Sequence, residues 1–177
     1  MKKFDNWNDV EAVGNSTSKV LPAGGYVGKI TSVKDVPESS YLQIEWDICE
    51  GEFKNNGANC LERNGFLPRT FSFRRYYTDA ALGFFKGFIS SVEHSNPGFT
   101  WDFKEQNLVG KIMGVILGEV EYRKTTDGTI ATRLDVKRTI AADDIRKGNF
   151  RVPDKTPLKE EYKPVSFTPV DDGELPF

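Results

Sequence analysis

The chain has 177 residues, of which 38% are hydrophobic, 28% charged and 12% aromatic. That is enough to bury a core in one domain with a tail to spare, and it excludes wholesale disorder, collagen-like repeats and low-complexity classes. A formal net charge of −2 excludes nucleic-acid binding by overall charge alone, so the distribution of charge carries the information.

The N-terminus, MKKFDNWNDVEAVG, starts basic but lacks the apolar stretch of a secretory signal. No apolar run approaches the roughly 18 to 20 residues that a membrane-spanning helix needs, so the sequence predicts a cytoplasmic protein with no membrane partner. After the turn signal Leu21-Pro22-Ala23-Gly24-Gly25, residues Gly25 to Val33 predict a first strand. Tyr41 to Cys49 alternate: Leu42, Ile44, Trp46 and Ile48 face one way and Tyr41, Gln43, Glu45 and Asp47 the other, the period of a half-buried strand. A polar, Gly- and Asn-rich stretch from Glu50 to Gly65 predicts a long loop. Phe66 to Tyr77 predict the third strand, with Leu67, Phe71 and Phe73 inward and Thr70, Ser72, Arg74 and Tyr76 outward.

The period then changes. Ala81, Leu82, Phe85, Phe88, Ile89 and Val92 form one stripe of a helix, with Thr78 as its expected N-cap and Asn96-Pro97-Gly98 blocking its continuation. Lys111 to Tyr122 predict a strand whose mostly apolar first half is buried on both faces. Thr126-Asp127-Gly128 predict a hairpin turn, because Asp-Gly tolerates the positive φ of tight hairpins. The return strand spans Thr129 to Lys137, with Ile130, Leu134 and Val136 inward, and a short helix follows between Thr139 and Gly148.

Strand, strand, strand, helix, strand, strand is the element order of an OB-fold, a five-stranded Greek-key barrel with one helix between strands three and four. Other five-stranded α+β folds share that order. Residues 1–148 therefore form a mainly β, OB-fold-like domain. From Asn149 the composition changes: Pro153, Pro157, Pro164, Pro169 and Pro176, five of the nine prolines, interrupt it and no apolar period survives. Residues 149–177 predict a disordered, extended tail. The tail carries four Lys/Arg against six Asp/Glu, so the whole net charge lies there and the body is neutral.

The outward face of the third strand joins cations to rings. A single-stranded nucleic acid needs cations along its phosphates and flat rings under its bases, and Arg74 and Tyr76 share a face that serves both needs. Arg75 lies on the core side near the strand end, within reach of the rim. Tyr122, Arg123 and Lys124 repeat the combination at the last hairpin, a loop that closes over bound strands in OB-folds. Arg133, Lys137 and Arg138 extend the basic surface, and Phe53 with Lys54 add a ring and a cation in the long loop. The stacking candidates are Tyr76, Tyr122 and Phe53; the phosphate candidates are Lys54, Arg74, Arg75, Arg123, Lys124, Arg133 and Lys137. The plainer reading of the same residues is a solvated face whose aromatics cover sheet edges.

Catalytic chemistry finds little support. Cys49 and Cys60 form neither a disulfide framework nor a C-x-x-C pair, and His94 is the only histidine, so no metal site and no cofactor are expected. The pairs Glu45/Asp47, Glu119/Glu121 and Asp143/Asp144, and the D-x-K triplets Asp102-Phe-Lys104 and Asp135-Val-Lys137, have a shape that metal-dependent hydrolysis uses. In a chain this rich in charge such triplets arise by chance. The expectation is a protein that is not an enzyme.

The chain ends in Asp171, Asp172, Gly173, Glu174, Leu175, Pro176 and Phe177. An aromatic with a free carboxylate can fill an apolar pocket while it and the acids meet Arg or Lys on a partner. This tip resembles the acidic C-terminal tip of bacterial single-stranded-DNA-binding proteins, which recruits replication, recombination and repair enzymes. The body resembles phage-encoded single-stranded-DNA-binding proteins from viruses of Gram-positive bacteria. The residues that carry that likeness are Leu21-Pro-Ala-Gly-Gly-Tyr-Val27, Phe84-Phe-Lys-Gly-Phe-Ile89 and Leu108-Val-Gly-Lys111. The resemblance implies sequence-independent binding of single-stranded DNA in a bacterial host cytoplasm. It also implies docking of replication or recombination proteins on the tip, and a capacity for homo-oligomers whose size nothing in the sequence sets. Two other functions fit the same residues: an interaction adaptor that binds no nucleic acid, and an accessory to a metal-dependent nuclease.

Overall fold

In the computed structural model, which describes residues 20–158, five antiparallel strands form one sheet. They are β1 (Gly24–Val36), β2 (Tyr41–Ile48), β3 (Ser72–Tyr76), β4 (Ile112–Arg123) and β5 (Ile130–Ile140), in the spatial order β3-β2-β1-β4-β5. Three helices accompany them: α1 (Asn56–Asn64), α2 (Leu82–Ser95) and α3 (Ala142–Arg146). β1 serves both halves of the sheet, pairing with β4 through Gly24–Lys29 and with β2 from Gly28 to Val36. Strand pairing does not close the sheet. Its two edges meet through the 3₁₀ turn Arg69–Phe71 ahead of β3, where the Thr70 hydroxyl donates to the Leu134 carbonyl of β5 at 3.0 Å.

The alternation of β2 places Leu42, Ile44, Trp46 and Ile48 in the core, where α2 adds Phe88, Ile89 and Val92 and β4 adds Met113, Val115 and Leu117. Trp46 is wholly buried; its ring lies 5.4 Å from that of Phe71 and its indole N–H donates to the Thr70 carbonyl at 3.2 Å. A Cβ on Gly28 would sit 2.5 Å from the indole, so β1 carries glycine where the tryptophan ring lies against it. Asn96 ends α2 and ties it to the sheet: its amide donates to the carbonyls of Val92 and Ile112, at 2.7 and 2.8 Å, and accepts from the Ile112 N–H at 3.0 Å. Residues 113–118 of β4 are buried without interruption, as its apolar run predicts.

Several elements differ from the sequence expectation. The predicted loop Glu50 to Gly65 contains α1, whose first-turn N–H groups are satisfied from another element: Asp47 of β2 accepts from Gly57 at 2.7 Å and Ala58 at 2.9 Å. Gly65, in the left-handed region at φ 74°, ends this helix by returning its N–H to the Leu61 carbonyl. The third strand begins only at Ser72, because Pro68 leads into the 3₁₀ turn, and Phe66 stays exposed. Thr78 precedes a 3₁₀ turn without a side-chain cap bond, and Leu82, at the solvent edge of the stripe, is exposed. Ile130 is 58% exposed where an inward position was expected, since β5 runs past the core at that end.

Asn149 to Leu158, read as the start of the tail, lie against the body. The Phe150 ring and Ile145 crowd Gly25, and Thr156 pairs in parallel with Val120 beside the second half of β4. In that pairing Thr156 donates to the Glu119 carbonyl and accepts from the Glu121 N–H, both at 2.9 Å. Lys155 pairs with Glu121 at 2.7 Å, and the Glu121 carboxylate also accepts from the Leu158 N–H.

Two predictions follow from these contacts. Asp47→Ala leaves the start of α1 without its acceptors and lowers stability by about 1–2 kcal/mol, read as a lower urea midpoint with an unchanged slope. The hydrogen bond from Lys155 holds the Glu121 carboxyl below its ordinary value of 4.5. Its contribution is therefore complete above about pH 4.5 and fades as the pH falls through the lower folded value. Amide exchange at Glu121, whose N–H donates to Thr156, should accelerate in acid beyond its intrinsic rate while the buried amides of β2 do not.

Candidate nucleic-acid interface

The register of β2 and β3 sets Tyr41 opposite Tyr76 and Gln43 opposite Arg74 on the outer face of the sheet. The two tyrosine rings lie 5.3 Å apart, tilted by 58°. The Arg74 guanidinium sits 4.7 Å over the Tyr41 ring while its Nε donates to Gln43 Oε1 at 3.2 Å, and Gln43 in turn donates to the Ser72 hydroxyl. Hydrogen bonding with Tyr76 holds Arg74 above its ordinary pKa, so the group is a permanent cation. Among the described residues it has no carboxylate partner. A ring and an amide thus orient an uncompensated charge beside exposed aromatic surface, which is what stacking a base and holding its phosphate require.

Arg75, at the neighbouring position, is half-buried. Its guanidinium lies 4.6 Å over the Phe73 ring and its Nη1 donates to the Arg74 carbonyl at 3.3 Å. Burial pushes its pKa down to about 10, which leaves it charged at neutral pH, and no carboxylate among the described residues pairs with it. A desolvated cation without a counter-ion is costly, and a bound anion relieves that cost. A groove of about 610 Å³ runs along this seam, walled by Arg69, Arg74, Arg75 and Tyr76 on one side and Asp135 and Val136 of β5 on the other.

The remaining predicted residues divide. At the β4–β5 hairpin, Arg123 donates to the Gly128 carbonyl at 2.9 Å and Lys124 is exposed at the turn. Tyr122 lies under the Arg133 guanidinium, 5.0 Å away. Arg133 is held in a two-point contact by Asp135, at 3.0 and 3.2 Å, so its charge is already neutralised; Asp135 also faces Arg69 at 4.0 Å. The Lys137 ammonium donates to the Thr156 hydroxyl at 2.7 Å, and its stem covers Gly118. Phe53 packs edge-to-face on Tyr26 at 6.1 Å against the core, beside a hollow lined by Gly25, Glu50 and Arg146, and Lys54 next to it is exposed. The structure thus brings Arg74, Arg75 and Tyr76 together and leaves Phe53 and Lys54 at a different hollow. Sequence reasoning left Tyr41, Gln43 and Arg69 out of the site. Tyr41 sits on the polar face of a clean alternation, a signal present in the sequence, but its partnership with Tyr76 depends on the register.

Asp171, Asp172, Glu174, Leu175, Pro176 and Phe177 lie outside the described residues. Among the described residues no group of three or more His, Cys, Asp or Glu side chains could hold a metal ion, and no helix is long and apolar enough to cross a membrane. The two D-x-K triplets are internally engaged: Asp102 pairs with Lys104 at 3.7 Å and binds the Asn107 amide, while Asp135 is taken by Arg133. No protein-family model matches the chain, and no curated protein matches it significantly.

The half-buried charge of Arg75, without a carboxylate partner among the described residues, gives a test independent of any ligand. Arg75→Met keeps an apolar stem on Phe73 and removes the desolvated charge, so the urea midpoint should stay level or rise. A fall would identify Arg75 as a structural ion.

Proposed function

We propose that this protein binds single-stranded DNA without sequence preference on the outer face of β2 and β3, and that its acidic tip recruits replication or recombination proteins. The observation that carries the reading is the set Tyr41, Arg74 and Tyr76 beside the unpaired Arg75. Rings offer faces that any base can use, so stacking there is indifferent to sequence, and it favours bases that are not already stacked in a duplex. Phosphates on Arg74 and Arg75 displace counter-ions, so affinity falls steeply with salt. No bond is made or broken.

The scaffold for this activity is an OB-fold barrel. The element order, a β1 shared between both halves of the sheet, and the Thr70–Leu134 bond between its edges support it. The likeness of the body and tip to phage-encoded and bacterial single-stranded-DNA-binding proteins points the same way, and with it goes the proposal of a bacterial host cytoplasm as the site of action.

Fluorescence anisotropy with a labelled oligo-dT strand, at low and at physiological salt, tests the reading, with a duplex of equal length as control. Single-strand preference that weakens with salt is expected, with a loss of about 10- to 100-fold in Arg74→Ala and in Tyr76→Ala. No binding at low salt would remove the reading and leave an adaptor that works through its tip.

A further inference from the structure

A second cleft, of about 860 Å³, opens on the other side of β3, between its end, α2 and the last residues of β5. Arg74, Arg75 and Tyr76 line both this cleft and the groove already described, so the two spaces adjoin at the end of β3. Across the cleft stand Lys137 and Arg138, and Asp144 is the one carboxylate in its lining. Arg138 is exposed and forms no ion pair among the described residues.

The helix wall is unusual in what the fold does not need. Phe84 is 78% exposed and lies off the buried stripe of Phe88, Ile89 and Val92, so the core makes no use of it. Gly83 and Gly87, one turn apart on either side of it, also line the cleft. Neither has a positive φ, and a Cβ on either would meet nothing within 4 Å. Glycine inside a helix is unfavourable by about 1 kcal/mol relative to alanine, and here neither turn geometry nor internal packing requires it. A bare stretch of helix backbone beside an exposed ring and two unpaired arginines suits close approach by a flat ligand carrying a phosphate.

We infer that the bound strand continues from the Tyr41/Tyr76 face into this cleft. One nucleotide base packs on Phe84 and the glycine face of α2, and its phosphate lies between Arg75 and Arg138. The inference rests on the proposed single-strand binding and adds a route: the strand leaves β3 past α2, not over the tip of the β4–β5 hairpin.

The test is oligo-dT anisotropy with a strand of about 15 nucleotides, paired with thermal unfolding of the same variants. Gly87→Leu projects a side chain into the cleft from a position with open space and better helix propensity. Its unfolding midpoint should hold or rise while affinity falls about tenfold. Phe84→Ala, on an exposed ring, should fall by about fivefold or more with an unchanged midpoint. If Tyr76→Ala weakens binding while both cleft variants bind like the parent protein, the route is overturned and the proposed function stands. If Gly87→Leu lowers the midpoint, Phe84→Ala alone decides. A parent protein that binds no single strand overturns both.

Discussion

The buried indole of Trp46 needs a hydrogen-bond acceptor, and how it is met fixes the rest of the molecule. A donor left unpaired at that depth costs about 1–3 kcal/mol. The fold meets it by bending the chain after Pro68 into a 3₁₀ turn that presents the Thr70 carbonyl, and the Thr70 hydroxyl is then free to reach Leu134 of β5. One residue thus links the core of β2 to both edges of the sheet. That link sets where β3 starts and how near it comes to β5, and therefore where Arg74 and Arg75 stand. Gly28 is the counterpart on β1, because any side chain there would displace the ring.

What the sequence reveals depends on whether the deciding contact is local. The alternation of Leu42, Ile44, Trp46 and Ile48, the stripe of Phe88, Ile89 and Val92, and the stop at Asn96-Pro97-Gly98 are local patterns, and each appears in the fold as read. α1 escaped because its N-terminal acceptor, Asp47, belongs to the preceding strand and meets Gly57 across a loop. The seating of residues 149–158 on the body is hidden in the sequence for the same reason. Pro153 and Pro157 suggest a chain without regular structure, yet Thr156 between them finds both of its backbone partners on β4.

The candidate site was legible in part. Arg74 and Tyr76 are two apart on a strand, so their shared face needs only the period of two. Tyr41 joins them through register, which no single strand encodes. Arg133 read as a free cation, although Asp135 lies two residues on and so on the same face. The structure turns that proximity into a two-point pair. Lys137 is diverted to Thr156, a residue the sequence had placed in the tail. Charges counted one at a time overstated the basic surface; the uncompensated part of it is smaller and gathers along the seam.

The segment around Thr156 has a consequence for how copies of this protein behave toward one another. β1 pairs with β4 only as far as Leu117, so the stretch from Gly118 to Arg123 would present a row of unsatisfied backbone groups on that side. Such a margin is a template for strand addition by another molecule. Thr156 occupies it, with Pro153 packed over Gly118. Pro157, which has no N–H, limits what the new outer margin can offer to a further strand. A proline that looks like a mark of irregular chain therefore limits further growth of the sheet at this one margin.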